Sequence, residues 1–149
     1  MVREATPATD FSGERRFHLA LSMLTVGGQP DKAQQLLQRA GPDGNILIPY
    51  AGSTAHMRTV SYLSVLRGDV PAEALRGKYV LVGAWATGLG DAYPTPVSHD
   101  LSGMSGVEII ANLLQAARDD VSYLRPAPAW NALFSACLLY TSDAADDSL

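Results

Sequence analysis

Cysteine is almost missing: Cys137 stands alone among 149 residues, so no internal disulfide can staple the fold. It lies in an apolar stretch and carries no chemical role. Charge is sparse as well. Asp, Glu, Lys and Arg make up 17% of the chain, below the roughly 25% usual in soluble domains. Eleven basic against fifteen acidic residues leave a net charge of −4, and apart from Arg15 and Arg16 the basic residues are scattered. That excludes the clustered positive surface of a nucleic-acid binder. Histidine occurs at 18, 56 and 99 only, positions too far apart to suggest a metal centre, and no cofactor is expected. The first residues, MVREATPATDFSGERR, lack the apolar central segment of a signal peptide. No internal repeat is present.

What is abundant is apolar surface: 47% of the residues are hydrophobic, over a length that suits one domain around one core. FHLALSMLTVGG reads as a short buried helix stopped by Gly27 and Gly28. His18 and Ser22 share one face of it, at a spacing open to a site but better suited to a surface. PDKAQQLLQRAG continues as a polar helix or a hairpin tip. Ile46, Leu47 and Ile48 form a short strand between two turn signals. Val60, Leu63 and Leu66 are helically spaced before Gly68, and a second short helix opens at Pro71, carries Glu73 in its first turn and closes at Arg76 and Gly77. Tyr79 to Val82 is an unbroken apolar run, which predicts a central parallel strand covered on both faces.

SGVEIIANLLQAARDD gives the clearest helix. Ser105 and Glu108 have capping-box spacing, and Val107, Ile110, Ala111 and Leu114 recur at i, i+3, i+4 and i+7. Strand, loop and helix, after an earlier strand and short helices, predict an α/β fold with a mainly parallel sheet flanked by helices.

Between that strand and that helix lies GAWATGLGDAYPTP, residues 83–96. Gly83 and Gly88 have the separation of a P-loop, yet Leu89 and Gly90 stand where the lysine and hydroxyl are required. The dinucleotide pattern fails too, since Tyr93 occupies its third glycine position. In SGMSG, Ser105 directly precedes Gly106, so there is no nucleophile elbow and Ser105 is more simply a helix cap. What remains is a loop at the end of a strand, where open α/β sheets bind ligands. Asp91, Thr95 and the polar residues opening the next helix can converge there. On the residues alone the structural alternative is favoured: Asp91 caps a turn, Pro94 and Pro96 stiffen a crossover, and Glu108 only caps.

At these residues the chain becomes recognisable. LRGKYVLVGAWATGLGDAYPTPVS followed by MSGVEIIANLLQ resembles the signature of the cyclase and histidine-kinase associated sensory extracellular domain, second type (CHASE type 2). The likeness is specific over 44–120, where ILIPYAG and VSYLSVLRGDVPAEALRGK also fit, and looser before residue 40. Ser105 replaces the family's usual proline and Ile110 its usual histidine, so a function needing that imidazole is not expected. The resemblance implies an extracytoplasmic sensory domain of a bacterial membrane receptor, joined through membrane helices to a cyclase or kinase output domain. Ligand sensing, the first of the functions it suggests, has as candidate binding residues Gly88, Gly90, Asp91, Thr95, Glu108 and Asn112; no catalytic residue is expected.

Residues 1–128 are then read as one sensory domain whose N-terminal part is missing. ALFSACLLY reads like the opening turns of a membrane helix, so 129–140 is the start of a truncated membrane span. The acidic 141–149, TSDAADDSL, changes composition so abruptly that a non-native tail is expected, an ordinary solvated tail being the alternative. Two functions compete. One is the sensing of a small-molecule ligand; the other is an interaction module that dimerises receptors and binds no small molecule.

Overall fold

The computed structural model describes residues 1–84, 91–98, 103–123, 125, 129–130 and 132–137. Its first elements are strands β1 (Glu4–Ala5), β2 (Ala8–Phe11) and β3 (Glu14–Phe17), followed by helices α1 (Leu19–Val26) and α2 (Pro30–Gln38). Strand β4 (Ile46–Leu47), helices α3 (Tyr62–Leu66) and α4 (Ala72–Leu75), strands β5 (Ala92–Tyr93) and β6 (Met104–Ser105), and helix α5 (Gly106–Arg118) complete the order.

Helices α1, α2 and α5 pack on one another and supply most of the core. Ala20, Leu21 and Leu24 of α1 meet Ala33 and Leu36 of α2 and Ile109, Leu113, Leu114 and Ala117 of α5, with Ile46, Ile48 and Met104 closing the edge. The expected α1 forms with its stop at Gly27 and Gly28, and the undecided polar segment folds as α2, opened by Pro30 in its first turn. The two short helices before residue 77 form where glycine and proline placed them. On α5 the buried residues Ile109, Asn112, Leu113 and Ala116 recur at i, i+3, i+4 and i+7. That stripe begins two residues after the expected one, more than half a turn around the helix. Val107, Ile110 and Ala111 are only half-buried, while Leu114 is buried as expected. Glu108 and Asn112 break the apolar pattern on the buried side, which is why the sequence pointed to the other.

The parallel sheet is a correction. Every strand pairing among the described residues is antiparallel and two-stranded: β1 with β4, β2 with β3, and β5 with β6. The architecture is a small mixed domain of helices and short antiparallel strands. Tyr79 to Val82 does not form a strand there. The segment is instead tethered to helices at its ends. The Tyr79 ring lies against Gly27 at the end of α1, its hydroxyl donates to Gln29 Oε1 at 3.3 Å, and the Arg118 guanidinium stands 5.5 Å over its ring. Gly83 lies against Val107 at the start of α5. The segment thus straps α5 from its last turn to its first, leaving Val80 51% and Val82 75% exposed. Burial on both faces, the premise of the parallel-strand expectation, is not met.

An N-terminal hairpin was not foreseen. Ser12 and Gly13 both have positive φ, 53° and 82°, and join β2 to β3 as a two-residue turn whose twist matches that of the strands. At the other end, 129–130 and 132–137 are helical, with Trp130, Leu133 and Phe134 exposed.

Candidate functional site

The glycine-rich loop meets the first turn of α5 at two points, Gly83 and Asp91. A Cβ at Gly83 would lie 2.6 Å from Val107 Cβ, so the backbone passes nearer to the helix than a larger residue permits. A Cβ at Gly106 would lie 2.8 Å from Asp91 Oδ1, which sets the Asp91 carboxylate against the first residue of the helix. Negative charge at that end is favoured by the aligned peptide dipoles. Gly88 and Gly90 lie outside the described residues.

Ser105 is the N-cap of α5, with extended φ and ψ of −66° and 148°, and its Oγ accepts the Glu108 backbone N–H at 3.4 Å. Only this half of the capping box forms. The Glu108 side chain is 2% exposed, and neither carboxylate oxygen has a hydrogen-bond partner among the described residues. A buried carboxylate left without donors costs stability, so its place calls for a reason other than capping.

One turn further on, Asn112 is fully engaged. Its Oδ1 accepts the Ala51 N–H at 2.9 Å, and its Nδ2 donates to the Glu108 carbonyl at 2.9 Å. It therefore ties the segment after β4 to α5. Thr54 adds a second tie, its hydroxyl donating to the Gly103 carbonyl at 3.2 Å. Sequence reasoning assigned nothing to residues 51–54, where only the turn signal of PYAG marked a place at which the backbone has polar groups to satisfy.

Thr95 is reached through β5, whose Ala92 and Tyr93 pair with Ser105 and Met104. Its backbone closes a small turn, the N–H donating to Ser98 Oγ and the carbonyl accepting from that hydroxyl, both at 2.9 Å. Its own hydroxyl, on a residue 4% exposed, has no partner among the described residues. Thr95, Glu108 and Asn112 are the buried polar or charged residues among those described. Glu108 and Asn112 follow one another on the first two turns of α5, Asp91 lies against Gly106, two positions and so about 200° around the helix from Glu108, and Thr95 stands two residues past the last rung of the β5 and β6 pair.

His18 and Ser22 make no site together. His18 is the N-cap of α1, its Nδ1 accepting the Ala20 N–H at 3.2 Å, and burial lowers its pKa from the usual 6.5. Ser22 is exposed and borders a groove of about 390 Å³ between α1 and α2, walled by Phe17, Leu21, Val26, Ala33 and Leu37. Among the described residues no helix is long and apolar enough to cross a membrane, and no group of three or more His, Cys, Asp or Glu side chains is placed to hold a metal ion.

No curated protein and no solved structure matches the chain. A family model does: that of the CHASE2 domain matches residues 1–142.

Proposed function

Because the chain belongs to the CHASE2 domain family, a family of sensory extracellular domains and not of catalysts, we propose that it is the ligand-recognition domain of a bacterial transmembrane receptor. In this reading it stands on the extracytoplasmic face of the inner membrane. Helices flanking it in the receptor carry the signal to a cyclase or kinase output domain. The recognition site comprises Asp91, Thr95, Glu108 and Asn112, beside the loop that contains Gly88 and Gly90.

One observation carries this reading: Glu108 and Thr95, two of the buried polar residues, hold oxygens that the described residues leave unpartnered, Thr95 belonging to the signature loop and Glu108 following Val107, against which Gly83 lies. Unspent hydrogen-bonding capacity inside a domain is what a ligand uses. The segment leaving α5 supports a route outward. Past the end of α5, Asp120 pairs with Lys32 and Arg39, and Arg125 pairs with Glu4 at 2.8 Å and Asp43 at 2.7 Å, just before the exposed apolar helical residues at 129–130 and 132–137. A ligand that binds one arrangement of α5 better than another biases this exit.

Thermal unfolding of the chain against a panel of small metabolites, anions and metal ions tests the reading. A compound at about 100 times its dissociation constant adds roughly 2.7 kcal/mol of stability. The midpoint is expected to rise with at least one compound and to stop rising in a folded Asp91→Ala variant. If Asp91→Ala unfolds the domain, Asp91 is structural and leaves the site.

The groove between α1 and α2 favours a second reading. Val26 at its rim is 89% exposed, so the same domain can act as a dimerisation module without a small-molecule ligand. Concentration-dependent dimers with no ligand-dependent shift would decide for it.

A further inference from the structure

Gly83 lies against Val107 and the Tyr79 ring under Arg118, so the strap follows one row of α5, through residues 107, 111, 114 and 118. From Val107 to Arg118 the helix rises about 17 Å. Tyr79 to Gly83 reaches at most about 14 Å, so the strap runs extended and the Tyr79 and Arg118 side chains close the remainder. Its burial alternates as an extended chain's does, with Tyr79 and Leu81 half-buried and Val80 and Val82 exposed. Yet no backbone N–H or carbonyl from Tyr79 to Ala84 makes a hydrogen bond among the described residues. One strand, about 5 Å across, covers only half the width of a helix, and Ile110 and Ala111 stay half-buried beside it.

An open row of peptide groups accepts another strand unless charge or proline guards it. From Tyr79 to Ala84 the chain has neither, whereas the exposed β2 and β3 carry Asp10, Glu14, Arg15 and Arg16. We propose that a second copy of this chain lays its own strap antiparallel to this one, centred on Leu81, and that the two form a two-stranded sheet backed by both α5 helices. In that register Val80 stands opposite the partner's Val82 twice over, a β-branched cross-strand pair on the exposed face. Lys78 falls opposite the partner's Ala84, so no like charges meet. Two strands alone are marginal in water, and packing on helices supplies what they lack. The pairing needs no ligand and uses no residue of the sensory site.

Sedimentation equilibrium of the 149-residue chain is the test. Val80 and Val82 are exposed, so substitutions there leave the monomer folded, as circular dichroism checks. The parent chain dimerises. Val80→Lys with Val82→Lys sets lysine against lysine at both pairs and weakens the dimer by about tenfold or more. Val80→Lys with Val82→Glu sets lysine against glutamate at both and recovers most of that loss. A parent chain that stays monomeric up to about 1 mM overturns the proposal. Dimers that the two-lysine chain forms as tightly as the parent also overturn it, and if Val26→Lys breaks them they belong to the groove between α1 and α2. A lysine and glutamate chain that pairs no better than the two-lysine chain overturns the antiparallel register, and the proposal with it. All these outcomes are read without a ligand, so they leave the sensory site to its own test.

Discussion

Asn112 joins two segments through both ends of one amide, and with 1% of its surface exposed it has no water to fall back on. Asn112→Leu keeps the bulk and orphans the Ala51 N–H. A loss of about 1–3 kcal/mol is expected in chemical denaturation, the cost of an unsatisfied buried donor. Gly83→Ala forces a Cβ toward Val107 and is expected to lose about 1–3 kcal/mol through overpacking. Val107→Ala in the same chain should return part of that loss, since the two side chains compete for one space. His18 predicts a pH dependence. Burial lowers its pKa below the usual 6.5, so the unfolded chain takes up its proton at a higher pH than the folded one. Its contribution is therefore full above pH 6.5 and falls as pH drops through 6.5 towards the folded value. Protonation also removes the Nδ1 acceptor that caps α1. In His18→Asn, which caps without titrating, thermal midpoints measured across that window should lose this slope.

Ser105 starts α5 by accepting the Glu108 N–H, and Ser105→Ala should cost about 1 kcal/mol in denaturant unfolding, the usual worth of an N-cap. The helices were legible because each carries its own punctuation: Gly27 and Gly28 after α1, Pro30 at the start of α2, Gly68 and Gly77 after the short helices, Ser105 before α5. The strap from Tyr79 to Val82 was not. A run of four apolar residues has no period of its own, and what decides its state is where Tyr79 and Gly83 dock, which are contacts with residues far away in sequence. The buried side of α5 was misread for a related reason, since polarity at Glu108 and Asn112 hid the stripe that tertiary packing covers. The hairpin carried a signal that went unused, the Ser12-Gly13 pair. Of the candidate site, Thr95, Glu108 and Asn112 were named from family resemblance and from their position beside the loop. Their burial, and the missing partners of Thr95 and Glu108, depend on packing that no local pattern encodes.

Across the whole molecule, the segment leaving α5 is held by ion pairs to parts that lie far away in sequence. Arg125 bridges Glu4 and Asp43, and Asp120 meets Lys32 and Arg39. Hydrogen bonds from Arg125 and Lys32 lower the Asp43 and Asp120 pKa values below 3.8. Their stabilising effect is present above pH 3.8 and is lost as pH falls through the lowered values. These groups are exposed, so Arg125→Ala is expected to leave the global midpoint nearly unchanged while speeding hydrogen exchange at residues 119–123, and high salt should mimic it. The central claim, that the chain keeps polar groups unpartnered for a ligand, is tested most directly by the stability of the unliganded chain carrying Glu108→Gln and Thr95→Val together, measured by denaturant unfolding at neutral pH. Groups held for binding cost the empty protein stability, so the double variant should be as stable as the parent or more stable. A loss of more than about 1 kcal/mol would mean that both side chains hold the fold together, and would contradict the claim.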